Sequence, residues 1–195
     1  MLRVTFDDKA GKALVSDTLH RAKDTRPVME DFAEYMVRSI HKNFEVGGRP
    51  TSWKPSRSEK TLQDSARLKN SVWQKSNTTS MQVGSNAKYG RIQHFGGVIK
   101  PVKAKALAIP LQDWIKGGPR RYKNLFFLEP EKGKPGTVGI LARSIGGKGS
   151  EEVQPMFALR SSVKLPPRPW LLFQVEDREY VAKTLARYLK KGRLA

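Results

Sequence analysis

The chain contains no cysteine, which removes disulfides and thiolate metal sites together and fits a reducing or redox-indifferent compartment. It has no run of about eighteen apolar residues, so neither a spanning helix nor a membrane partner is expected. The opening MLRVTFDDKAGK is too polar to read as a secretory signal. Histidine is scarce: His20, His41 and His94 lack metal-ligand spacing, and the first two fall on expected helices and read as surface residues. No phosphate loop and no nucleophile elbow occur. Carboxylates are nearly missing from the middle of the chain, where Glu59, Asp64 and Asp113 are all that residues 51–128 hold. A metal-dependent nuclease needs two or three around its ions, so a composite site on Asp64 and Asp113 has no further support. The expectation is a protein without catalytic residues, cofactor or metal.

Positive charge is abundant. The 195 residues carry 37 Lys and Arg against 18 Asp and Glu, a formal net charge of +19. Residues 1–50 are nearly balanced, with nine basic and eight acidic side chains, whereas residues 51–128 hold fifteen basic and three acidic. Small clusters stand at Lys100, Lys103 and Lys105 and at Lys116, Arg120, Arg121 and Lys123. A field concentrated in this way attracts a polyanion with salt-sensitive affinity. The plain alternative is a solvated, self-repelling surface. The length suits one domain, residues 1–195, with an elaborated insertion.

In chain order, Leu2, Val4 and Phe6 alternate with polar residues as a short strand. Leu14, Val15, Leu19 and Ala22 mark a short amphipathic helix. The clearest helix follows: Thr25 or Arg26 as cap, Pro27 in the first turn, and Phe32, Met36, Ile40 and Phe44 recurring every four residues with Val28 and Tyr35 beside them, ending before Gly47-Gly48. In the next loop Trp53 reads as a lid over the core, and 58–68 as a short helix. Val72–Val83 reads as a hairpin turning at Ser76–Thr79. The stretch YGRIQHFGG, Tyr89 to Gly97, reads as the end of a strand and a sharp corner. Short strands are expected at 107–109, 125–128, 138–141 and 153–159. A loop-rich β-hairpin insertion occupies about 111–164. PPRPW, Pro166 to Trp170, fixes φ at three prolines ahead of a last helix, 171–191, whose stripe is Val175, Val181, Leu185, Tyr188 and Leu189.

Several segments in order carry a resemblance. They are Asn43-Phe44 closing a helix, a loop with Pro50 and Trp53-Lys54-Pro55, Ser58 and Thr61, Ala66-Arg67-Leu68-Lys69-Asn70-Ser71, Val83-Gly84-Ser85-Asn86, Tyr89 to Gly97, and Pro167-Arg168-Pro169-Trp170. The series resembles the phage virion morphogenesis family, the tail completion proteins of Mu-like and related tailed phages. Departures are Ala66 for the usual glycine, Gly90 for alanine, the transposed Gln93-His94, Pro167 for alanine and Trp170 for phenylalanine. The resemblance implies a non-enzymatic structural protein of the virion neck or tail end, assembled in the host cytoplasm as a ring, hexameric in the family, around the DNA channel. Its implied neighbours are a head connector and a tail terminator or tail tube protein. Tyr89, Phe95, Arg168 and Trp170 are then candidates for subunit contacts, with intramolecular packing of the two motifs as the alternative. The seven basic residues above are candidates for the channel wall, where DNA would pass without sequence preference.

The expected fold class is α+β: an antiparallel, partly barrel-like sheet flanked by the long helix at 27–44 and the C-terminal helix. Two other functions fit parts of the pattern. A basic nucleic-acid-binding protein accounts for the charge equally well, but it calls for a stacking platform of interleaved aromatics, and only Trp114 and Tyr122 are suitably placed for one. A small metal-dependent phage nuclease would rest on Asp64 and Asp113.

Overall fold

The computed structural model describes residues 8–55, 62–63, 65–129, 136–145, 152–192 and 194. The strand expected at Leu2–Phe6, Ser58, Thr61 and the carboxylates Glu59 and Asp64 lie outside the described residues. The chain divides into two compact units, residues 1–95 with 167–195, and residues 96–166.

In the first unit, α1 (Lys9–Lys23) precedes α2 (Arg26–Val46), the longest element. Pro27 stands in the first turn of α2, and Val28, Phe32, Met36, Ile40 and Phe44 are all buried, as their spacing requires. The helix stops at Gly47, whose φ of 72° is left-handed, and the amide of Gly48 donates back to Asn43 O at 2.8 Å. Gly48 itself has φ 111°, and a Cβ there would lie 2.6 Å from Trp53 Cδ1. The indole of Trp53 therefore reaches the core because the preceding backbone has no side chain. Ile40, Phe44, Trp53, Leu68 and Trp170 form that core.

Of the helix expected at 58–68, the described residues retain one turn, α3 (Arg67–Asn70). The hairpin β1 (Val72–Ser76) and β2 (Met81–Ser85) pairs Val72 with Ser85 and Ser76 with Met81, and Asn77 Oδ1 accepts from the amides of Thr79 and Ser80 in the turn. The corner differs from its expectation: Gly90–Phe95 is a short helix, α4, ended by Gly96 at φ 70°. The closing helix, α5 (Val175–Lys191), starts four residues later than its sequence pattern predicts. Gln174 and Asp177 make a reciprocal capping box, and the backbone carbonyl of Trp170 is used instead by Asn43 Nδ2. Val175 accordingly points to solvent and is not part of the stripe.

In the second unit, β3 (Gly97–Ile99) pairs with β8 (Val163–Leu165). Four further strands, β4 (Leu107–Pro110), β5 (Leu125–Leu128), β6 (Thr137–Ser144) and β7 (Val153–Arg160), form an antiparallel sheet in the order β4-β7-β6-β5. Ile115, Met156 and Phe157 are its buried centre, with Tyr122, Leu125 and Leu141 packed around them. Helices with antiparallel sheets make the class α+β. The partly barrel-like sheet predicted from the sequence is not closed: among the described residues the strands form three sheets, and the largest ends at β4 and β5. Closure needs continuous strands long enough to shear around an axis. Among the described residues β6 and β7 run eight residues, but the other six strands have only three to five, too few to carry the sheet round to its own edge.

Candidate assembly interface

The two rigid motifs singled out in the sequence meet within the first unit. Pro169 holds the chain extended ahead of Trp170, and α4 presents its first carbonyl to that indole: Trp170 Nε1 donates to Gly90 O at 3.1 Å. The ring lies 6.0 Å from Phe44 and edge-on to His94 at 5.9 Å. Only 4% of Trp170 remains accessible. A Cβ on Gly90 would sit 3.3 Å from Leu68 and 3.4 Å from Trp170, so the glycine is where helix and indole approach most closely.

Arg168 is the polar half of the same joint. Its amide donates to Gln93 O at 2.9 Å, Nε donates to Lys54 O at 3.1 Å, and a terminal guanidinium nitrogen donates to Gln93 Oε1 at 3.3 Å. Burial lowers the Arg168 pKa from its ordinary value, and these acceptors hold the cation where water is excluded. Burial also lowers the pKa of His94. Its Nδ1 accepts from the Leu171 amide at 3.4 Å, a geometry available to the neutral ring with its proton on Nε2.

Beneath this joint lies a polar network at apolar positions of α2. Asn43 Oδ1 accepts from Arg49 Nε at 2.8 Å and from Gln174 Nε2 at 2.9 Å, while Nδ2 donates to Trp170 O. Arg49 also donates to Ser39 O and Oγ and pairs with Glu176, and Ser39 Oγ donates to the buried Asp177 at 2.7 Å. Tyr35 stacks on Tyr180 with centroids 3.7 Å apart, and burial, followed by the Asp177 charge, raises the Tyr35 phenol pKa. The network ties α5 and the Trp170 segment to α2. Sequence reasoning missed it, although Asn43 between Ile40 and Phe44 on a buried stripe was a visible signal.

The four residues proposed for subunit contacts thus separate. Arg168 and Trp170 spend their groups inside the protomer, the intramolecular alternative. Tyr89 is exposed, and Phe95 is 70% exposed. All seven basic candidates, Lys100, Lys103, Lys105, Lys116, Arg120, Arg121 and Lys123, are exposed in the second unit. Of the two aromatics among them, Trp114 is exposed, but Tyr122 is edge-on to Phe157 at 5.7 Å with its hydroxyl bonded to Lys116 N and O. Asp113 is exposed, and among the described residues no three His, Asp or Glu groups come together as metal ligands. His20 is exposed as expected, while His41 is half-buried with Nε2 lacking a hydrogen-bond partner.

Residues 6–120 match the model of the phage virion morphogenesis family. The chain belongs to that family. It is also similar to Mu-like prophage FluMu G protein 2 of Haemophilus influenzae, with 36% identity over 104 residues, 52% of this chain and 70% of the relative. No solved structure matches it. Membership places the chain in phage virion assembly and favours a structural over an enzymatic role. The match takes in the corner and its core, whereas the Pro167–Trp170 segment lies beyond it. That segment is tied to the matched region by the contacts of Arg168 and Trp170.

Proposed function

We propose that this family member is a structural subunit of the virion neck or tail end, acting when tail and DNA-filled head are joined, and that it forms a hexameric ring around the DNA channel. The family match over residues 6–120 carries the reading. The geometry supports it in two ways. A ring needs two unlike rigid surfaces on each subunit, and the joint of Trp170 with Gly90 holds α4 so that Phe95 and Tyr89 stand outward at fixed positions. A channel that passes DNA needs positive charge without base-reading geometry, and the exposed lysines and arginines of residues 100–123 supply it without a paired aromatic platform. Neighbours in this reading are further copies of the chain, a head connector and a tail terminator or tail tube protein.

Cryo-electron microscopy of purified virions tests the proposal. The expected result is a closed ring of this chain in the neck density, with Lys100, Lys103 or Lys105 toward the axis. Absence of the chain from finished particles would overturn it in favour of a transient assembly factor or a basic nucleic-acid-binding protein.

A further inference from the structure

Segments that the sequence singles out on separate grounds converge on one surface feature of the first unit, an open pocket of about 470 Å³ lined by Arg67, Ser71, Asn86, Ala87, Lys88 and Tyr89. Ser71 is already engaged: its Oγ lies 2.7 Å from Leu68 O and 2.6 Å from Ser85 Oγ, which in turn accepts from the Ala87 amide at 3.1 Å. The exposed side chains of Arg67, Asn86, Lys88 and Tyr89 differ. Among the described residues they make no hydrogen bond or ion pair. The pocket therefore offers a guanidinium, an ammonium, an amide and a phenol, with no carboxylate among the described residues of its lining. Donors and two positive charges around one concavity are complementary to an anion, and the planar arginine fork matches a carboxylate.

Three sources could supply the anion, and the pocket discriminates among them. A duplex backbone presents phosphates in a row and suits an extended basic surface. The dense basic run of this chain, residues 100–123, lies in the other unit. A second copy carries 37 basic against 18 acidic side chains, so whatever carboxylate it offers is outnumbered by like charge, and a neighbour with an acidic surplus suits the pocket better. Tyrosine and arginine around a cavity with an apolar wall, here Ala87 and the Tyr89 ring, are the composition that anchors protein partners. We propose that this pocket receives an Asp or Glu side chain from an acidic segment of a non-identical protein neighbour. The partner's place, an adjoining ring of the virion, rests on the reading above; the chemistry of the pocket does not.

The test is zero-length carbodiimide coupling of the full chain to a tetraglutamate peptide, with lysine adducts mapped by mass spectrometry. Coupling at Lys88 should exceed that at the exposed Lys103 and Lys105, and Arg67→Ala or Tyr89→Ala should each lower it about tenfold without changing Lys103. Both positions are exposed, and unchanged thermal unfolding checks that the variants fold. Arg67→Lys, which keeps the charge and loses the fork, should fall between. Equal coupling at all exposed lysines would overturn the proposal. So would selective displacement of the peptide from Lys88 by a short DNA duplex, or peptide-independent coupling of Lys88 to a second copy. Because no virion is involved, this result is independent of whether the chain occupies the neck.

Discussion

At the scale of single residues, the joint between the corner and the Pro167–Trp170 segment makes sharp demands. Trp170→Ala removes a core indole and should cost about 3–5 kcal/mol in urea unfolding. Trp170→Phe keeps the ring contacts but leaves Gly90 O without its donor, and about 1 kcal/mol is expected. Gly48→Ala forces a side chain into a left-handed backbone and against Trp53, so it should destabilise by more than about 1 kcal/mol in the same assay. His94 adds a pH dependence. Its folded pKa is lowered by burial, so below the ordinary value near 6.5 the unfolded chain binds the proton more readily than the folded one. The neutral ring's contribution is complete above that value and is lost as pH falls toward the folded pKa. Between about pH 7.5 and 5.5 the wild type should therefore lose more stability than His94→Asn, read as the difference in their urea midpoints. Tryptophan and proline were conspicuous in the sequence at these positions. Their partners were not, since nothing in a linear reading pairs Arg168 with Lys54 O or Gln93.

At the scale of elements, α2 was legible almost residue by residue, because a four-residue apolar recurrence, an early proline and a terminal glycine pair all act locally. The hairpin at 72–85 was legible for the same reason. The corner was not. A six-residue helix set between Tyr89 and Gly96-Gly97 is too short to show a helical period, and α4 is held by the Trp170 indole on its first carbonyl. The start of α5 was misplaced because Leu171–Phe173 look like helix formers, while the decisive groups, Gln174 and Asp177, act through a cap whose acid is buried against Ser39. This arrangement predicts that Asp177→Ala lowers stability by about 2 kcal/mol or more, and that in this variant amides at the start of α5 exchange hydrogen faster than those near Thr184. Equal exchange along the helix would show that the cap does not hold its first turn.

At the scale of the whole molecule, charge and assembly lead. Duplex DNA binding should be salt-dependent, and Lys100→Ala, Lys103→Ala and Lys105→Ala together should flatten the plot of log affinity against log salt by about three. An unchanged slope would place the polyanion contact elsewhere. Phe95→Asp should prevent self-association in sedimentation velocity while shifting unfolding by less than about 0.5 kcal/mol, because this ring makes little of the protomer's core. By itself the sequence determined the helical stripe of α2, the hairpin, the charge asymmetry, the α+β class and the family, all of which reside in local periodicity, composition or ordered motifs. Only the tertiary structure decided that Arg168 and Trp170 turn inward while Tyr89 and Phe95 stay outside, that the sheets remain open, and that Asn43, Arg49 and Asp177 join one buried network. Those outcomes depend on which distant groups compete for each buried donor and acceptor, and that competition exists only once the chain has closed on itself.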